Sequence, residues 1–313
     1  MNRLLFAVVM LIMSVTTFAQ DNNSSANQTP TTAYLCNAPL PYKPDSLTVL
    51  FIGNSFSIDT AAGLPTLLKD LNIQNVNVYV LYKPACSIKQ HYELFNSREK
   101  AYELYRYNFN GDKRLEKSIS INDAMSRYKY DIVVFQQYSM ESGKYETYEP
   151  YLSKLVQAYN TVKIGGRTTF AFNQTWALGV KNKNLSVYGS QDKMYRSICE
   201  SVKQMKNASG IDVIIPCGTA VQNARKMESL VIHNDLTRDD LHMDYIMGRY
   251  LTACTFFEAI ITPVLSYNLS DTNCDFGKKS ATNQVNVYNR DLLKKCARLA
   301  VANNYEVSEF INK

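Results

Sequence analysis

The chain has 313 residues, of which 46% are hydrophobic, and a formal net charge of +6, so it can bury a sizeable core and is not of the highly charged, core-poor kind that stays unfolded. Lys and Arg are scattered along the chain rather than blocked, and no recognition motif, glycine-rich phosphate loop or dinucleotide fingerprint accompanies them. The positive balance therefore reads as a solvated surface and not as a nucleic-acid footprint, and nothing calls for a nucleotide cofactor.

The first residues set the compartment. Arg3 precedes an apolar run from Leu4 to Val15, followed by Thr17-Phe18-Ala19. A basic start, a short apolar core and small residues before the cut predict a secretory signal peptide over 1–19, cleaved after Ala19. The run is short for a bilayer span, which makes a retained anchor the weaker alternative. No cysteine stands at the cut for lipid attachment, and removal of Arg3 leaves a net charge of +5. Residues 20–33, mostly Asn, Ser, Thr and Gln, cannot bury a core and predict a flexible leader. Residues 34–313 then form one exported domain of about 280 residues, periplasmic or extracellular, with no further stretch able to cross a membrane.

Five apolar runs predict strands: Leu47 to Ile52, Val76 to Leu81, Asp131 to Phe135, Thr168 to Phe172 and Asp212 to Pro216. They are rich in Val, Ile and Phe without polar alternation, as in strands buried on both faces. Between them, Ala61 to Leu71, Pro150 to Val162, Gln191 to Met205 and Tyr245 to Ile261 have helical spacing. This alternation predicts a five-stranded parallel sheet between helix layers, with ligands bound along the edge where the strands end. Lys83 to Tyr130 is too long for one crossover helix. It predicts a helical stretch near Glu93 to Tyr105, a turn at Asn108 to Gly111, and an elaboration able to overhang the site. Beyond Ile261 an irregular region, Ser266 to Asn286, precedes a last helix near Asn289 to Ala302.

The seven cysteines (Cys36, Cys86, Cys199, Cys217, Cys254, Cys274 and Cys296) contain no Cys-x-x-Cys pair, which gives no zinc or thioredoxin-type site. Their odd number leaves at least one without an intrachain partner, and those inside apolar segments read as small buried hydrophobes. Histidine occurs only at His91, His233 and His242, and neither His91 nor His233 has a ligand-spaced partner.

Two segments carry chemistry. The first strand runs into Gly53-Asn54-Ser55, which places a serine just past a buried strand and at the start of a helix. Such a residue is either a nucleophile facing free backbone N–H groups or simply part of a helix cap. The second segment, Asp239-Asp240-Leu241-His242, supplies what a nucleophile needs: a base, and three positions earlier a carboxylate that one turn of chain can bring to the imidazole. Its alternative role is to cap the following helix through Asp239 or Asp240.

Taken together, Gly53-Asn54-Ser55 resembles the Gly-Asp-Ser block of the SGNH (GDSL-like) esterase and lipase superfamily, and Asp239-Asp240-Leu241-His242 resembles its C-terminal Asp-x-x-His block. Gly248 to Ala253 is similar to the small-residue helix that follows that block. The resemblance spans roughly Leu47 to Ile261 and implies a flavodoxin-like three-layer sandwich with a Ser55, His242, Asp239 triad cleaving an ester, without a metal or other cofactor. Two blocks depart from the pattern. Where the superfamily has a glycine after strand two, this chain has Lys83-Pro84-Ala85-Cys86-Ser87, so the oxyanion N–H falls to Ala85 or Cys86. Where it has Gly-x-Asn-Asp after strand three, this chain has Phe135-Gln136-Gln137, so the amide donor falls to Gln136 or Gln137. These departures point to a divergent branch of exported bacterial proteins.

Asn54, Asn173 and Trp176 are assigned to the substrate cleft, Trp176 either as a stacking platform or as packing. The expected partner is a small-molecule or glycan ester. The competing class is a module of the same fold that binds a glycan or peptide without turnover.

Overall fold

The structure, a computed structural model, describes residues 39–309 except 212, 228, 231–233 and 278–283. The signal peptide, the leader, Cys36 and His233 lie outside the described residues. Among the described residues, strands β1 (Leu47–Gly53), β2 (Val76–Tyr82), β3 (Tyr102–Asn108), β4 (Gly111–Ile119), β5 (Ile132–Phe135), β6 (Thr169–Asn173) and β7 (Val213–Ile215) form one sheet in the order β4-β3-β2-β1-β5-β6-β7. The five apolar runs are the parallel strands β2-β1-β5-β6-β7. The sheet as a whole has seven strands and is mixed, which corrects the expectation of five parallel ones.

The two extra strands come from the long crossover. The helix expected near Glu93 to Tyr105 is displaced to α3 (Ile88–Ser97), started by a capping box between Ser87 and Gln90 and stopped by Arg98 in the left-handed region at φ 55°. Tyr102-Glu103-Leu104-Tyr105-Arg106-Tyr107 then alternates with period two. Tyr102 and Leu104 pack into one core while Tyr105 and Tyr107 face the other, as a strand requires. The polar turn becomes a tight hairpin in which Asn108 pairs with Gly111, whose φ of +112° suits glycine.

The parallel strands alternate in the same way. Val49 and Phe51 face one core and Leu50 and Ile52 the other, all fully buried. Burial of each such side chain stabilises by about 1.5–3 kcal/mol. The first core is covered by α1 (Ser55–Ala61), α2 (Leu64–Asp70), α7 (Cys217–Arg225), α8 (Met247–Phe256) and α10 (Arg290–Ala302). The second is covered by α3, α4 (Ile121–Met125), α5 (Tyr151–Val162) and α6 (Gln191–Ser209). Helix α8 continues through a π-helical turn, Phe257–Ile261, into α9 (Thr262–Leu265). The described cysteines are free thiols, all buried except the half-buried Cys274. No helix among the described residues is long and apolar enough to cross a membrane.

Numbered along the chain, the parallel strands lie in the order 2-1-3-4-5, so the connection leaving β1 and the one leaving β5 diverge to opposite sides. The crevice between their carboxyl ends is where such sheets bind ligands. Ser55 stands there.

Candidate active site

The turn after β1 is built by close approach. A Cβ on Gly53 would sit 2.2 Å from Ser57 Oγ and 2.9 Å from Gln136 Cγ, so the strand end tolerates only glycine. Asn54, extended, caps α1 by accepting from the Phe56 N–H at 3.1 Å. Its side chain also accepts from Gln136 Nε2 at 2.6 Å and donates to the Cys86 carbonyl at 3.2 Å. Ser57 Oγ donates to Gln136 Oε1 at 2.5 Å, which completes a buried chain of polar groups beneath the serine. Ser55 itself is the first residue of α1 and is half-buried.

The histidine loop folds on itself. Thr237 bridges to Met243, and Arg238 N–H donates to the His242 carbonyl at 3.0 Å. Asp239 Oδ1 accepts from the N–H groups of Leu241 at 3.2 Å and His242 at 2.7 Å, while Oδ2 lies 2.7 Å from His242 Nδ1. His242 Nε2 is then 2.9 Å from Ser55 Oγ. Partial burial works to raise the Asp239 pKa, but the hydrogen bonds from the His242 backbone and ring outweigh it and hold the carboxyl below its ordinary value. The structure thus brings together Ser55, His242 and Asp239 with the imidazole between the hydroxyl and the carboxylate, an arrangement that acyl transfer can use.

A carboxylate that sequence reasoning passed over locks the two segments together. Asp59, one turn along α1 from Ser55 and fully buried, accepts from Arg249 Nε at 2.8 Å, from Arg238 Nη1 at 3.1 Å and from the Met243 N–H at 3.1 Å. Burial raises its pKa, and the Arg249 and Arg238 guanidiniums pull it back. The helix carrying the serine is therefore tied to residues on both sides of His242. The signal was available: an acid four positions from the serine shares its helix face.

The remaining site expectations fare differently. Trp176 is fully buried, stacks on Phe56 with centroids 4.0 Å apart, and donates Nε1–H to the Leu241 carbonyl at 2.9 Å. It packs behind the site and does not line the cleft. Asn173 and Asn54 are buried as well, Asn173 donating to Thr60 Oγ1 at 3.1 Å. Gln137 spends its amide on Thr147 and accepts from the Ile88 and Tyr138 N–H groups, so it pins loops and does not reach the serine. Gln136, fully buried, holds Asn54. The Cys86 N–H closes a turn onto the Lys83 carbonyl at 3.4 Å, and burial pushes its thiol up to about 12. Of the expected oxyanion donors, the Ser55 N–H at the start of α1 and the N–H of exposed Ala85 are the ones not drawn into these contacts.

Beside the serine lies an open cleft of about 230 Å³ lined by Ser55, Ile58, Asp59, Tyr82, Tyr105 and Arg238. Tyr82 and Tyr105 meet edge to face with centroids 6.1 Å apart. Tyr82 ends β2 and Tyr105 comes from the hairpin strand β3 beside it, so the elaborated crossover does reach the site. Among the described residues no group of three or more His, Cys, Asp or Glu is placed to hold a metal ion.

The fold and site define a mixed-sheet α/β protein with a Ser–His–Asp constellation at the switch point. Residues 48–289 match the family described as "Domain of unknown function (DUF4886)", and the chain belongs to that family. It is 30% identical to a DUF4886 family protein from Bacteroides uniformis of known crystal structure, covering 85% of this chain and 98% of that one with a TM-score of 0.74. More distant likenesses are to a protein from Slackia heliotrinireducens assigned as an SGNH hydrolase (17% identity, 69% and 99% of the two chains, TM-score 0.48) and to a protein from Parabacteroides merdae assigned as a GDSL-like lipase (15%, 71% and 98%, 0.46). No curated protein matches the chain.

Proposed function

We propose that the protein is an exported serine hydrolase of SGNH type that cleaves an ester, with an acyl substituent of a glycan as the preferred substrate class. The observation that carries this reading is the continuous contact from Asp239 through His242 to Ser55, 2.7 Å and 2.9 Å long, at the mouth of a cleft. In this mechanism His242 Nε2 takes the Ser55 proton as Oγ attacks the ester carbonyl, and Asp239 orients the imidazole and balances its charge. The Ser55 N–H, at the N-terminus of α1, is positioned to meet the oxyanion. His242 then protonates the departing alcohol, and water, deprotonated by the same ring, releases the acid from the acyl-enzyme. The small cleft with two tyrosine walls suits a short acyl group on a sugar better than a long lipid chain. The signal-peptide reading of 1–19 supports a periplasmic or extracellular location for a single SGNH-like domain over 34–313.

The test is labelling by a fluorophosphonate, which reacts only with an activated serine, followed by turnover of acetylated sugars and short-chain esters. Label on the native protein and none on Ser55→Ala is expected. A second reading, a binding module without turnover, is favoured by one observation: Gln137 and the Cys86 N–H are engaged elsewhere, leaving a sparse set of oxyanion donors. Absence of label with retained glycan binding would select it.

A further inference from the structure

The cleft beside Ser55 has one cationic side chain in its wall. Arg238 lines it and keeps about a fifth of its side chain exposed (22%), whereas Asp59, which it contacts, is fully buried behind it. That carboxylate is shared. Arg249 reaches it through both Nε and Nη2 at 2.8 Å, and Met243 N–H takes a further position, while Arg238 meets it through Nη1, which also donates to the Met243 carbonyl. Two guanidiniums face one carboxylate, so the cluster carries one positive charge in excess. Both guanidiniums also lie against the ring of Tyr245, with Cζ 4.6 Å and 4.7 Å from its centroid, and Tyr245 is 61% exposed. Of the other acids nearby, Asp244 turns its carboxylate to the start of α8, where it accepts from the N–H groups of Ile246, Met247 and Gly248, and it does not line the cleft. Glu103, bonded to Tyr105 Oη, is paired with Arg114, and Asp239 contacts the edge of the His242 ring opposite the one facing Ser55. The rest of the wall, Ile58, Tyr82 and Tyr105, is uncharged.

From this arrangement we infer that the cleft selects esters carrying an anionic group, a carboxylate in the first instance, which Arg238 receives while Ser55 attacks the ester carbonyl. The inference rests on the hydrolase reading of the same cleft and adds a substrate class to it. A neutral substituent seated against Arg238 would strip water from the guanidinium without replacing it, whereas a carboxylate replaces that water with a charge-assisted bond. The carboxylate can belong to the alcohol side, as in an acetylated uronic acid, or to the acyl side, as in a dicarboxylic half-ester. The chemistry at Arg238 is the same for both.

The experiment separates binding from turnover. Calorimetric binding to Ser55→Ala would be measured for acetylated methyl glucuronoside against acetylated methyl glucoside, and for the half-ester 4-nitrophenyl hydrogen glutarate against 4-nitrophenyl valerate. Binding about tenfold or more tighter for the anionic member of at least one pair is expected, and that pair names the side carrying the charge. Adding Arg238→Gln should bring the ratio to near one, while a purely structural role for Arg238 would weaken both members equally and leave the ratio intact. Should that variant fail to fold, the same ratio in Ser55→Ala must fall as salt rises from low to physiological strength, since an exposed charge pair is screened. Equal or tighter binding of the neutral members, or a ratio indifferent to both Arg238→Gln and salt, overturns the inference. Turnover of the same esters by the native protein tests the hydrolase reading independently. Failure to hydrolyse any of them with the binding preference intact would discard the chemistry and keep the subsite.

Discussion

Asp59 Oδ2 accepts the Met243 N–H at 3.1 Å, a bond that joins the helix carrying Ser55 to the residue next to His242. The two residues are 184 positions apart in the chain, so the geometry of Ser55 and His242 depends on a buried carboxylate that touches neither.

Asp59→Asn keeps the shape and removes the charge. It leaves Arg238 and Arg249 without their counter-ion, and breaking such a buried pair costs about 3 kcal/mol, somewhat less here because both arginines are partly exposed. Urea denaturation should show the loss. Ester turnover should fall in kcat, because the loop carrying His242 loosens, and KM should shift with it, because Asp59 and its partner Arg238 both line the cleft. An unchanged kcat would show that the loop holds its place without the clamp.

The triad members should rank. Ser55→Ala and His242→Ala should each lower kcat by about three orders of magnitude or more, and the double variant should be little worse than either. Asp239→Ala should be milder by roughly one to two orders, because it removes orientation and charge support only. Asp240 is the internal control, since its Oδ1 meets the Lys181 N–H and not the histidine. Asp244, the other neighbouring acid, cannot serve as one, because it caps α8 by accepting from the N–H groups of Ile246, Met247 and Gly248. Loss of turnover in Asp240→Ala with none in Asp239→Ala would reassign the acid.

Trp176→Phe preserves an aromatic against Phe56 and deletes the hydrogen bond to the Leu241 carbonyl. Stability should drop by about 1–3 kcal/mol for the unsatisfied carbonyl, against about 3–5 kcal/mol for Trp176→Ala, which opens a cavity. Glycan affinity should survive Trp176→Phe because the ring lies in the core. A large loss of binding with unchanged stability would return Trp176 to the cleft.

Buried His91 should produce an acid limb in the stability curve. Burial, with the nearby Lys83 charge, lowers its pKa to about 3, against about 6.5 for an unfolded histidine. Between these values the unfolded chain binds a proton that the folded one refuses. The stability from His91 is therefore complete above about pH 6.5 and is lost as pH falls towards 3, with a slope of about 1.4 kcal/mol per pH unit. Its Nδ1 lies 2.8 Å from Tyr102 Oη and its Nε2 has no partner, so no acceptor is at hand to receive the added proton. Urea midpoints measured from pH 4 to 8 should flatten in His91→Asn; an identical acid limb in that variant would assign the limb to other groups.

The parallel strands could be read from the sequence because each announces itself locally as an apolar run, whereas the Ser55 and Asp239–His242 segments each also read as a helix cap, and only the resemblance joined them across 187 positions. What could not be read depends on distant partners. Trp176 has the composition of a cleft platform, and only the stacking against Phe56 and the bond to Leu241 place it in the core. Gln136 and Gln137 stand where amide donors belong, yet their amides are claimed by Asn54 and by Thr147. The β3–β4 hairpin was hidden because its alternating tyrosines and charges also suit the exposed face of a helix.

That hairpin has a further effect at the edge of the sheet. Strand β4 ends the sheet on one side and carries Asp112, Lys113, Arg114, Glu116 and Lys117 within nine residues. The opposite margin, β7, is three residues long. An intruding strand from another molecule would have to align its backbone with a fringe of alternating charge on one side, or with hardly any backbone on the other. The long connection that brings Tyr105 to the cleft thus also guards the protein against edge-to-edge aggregation.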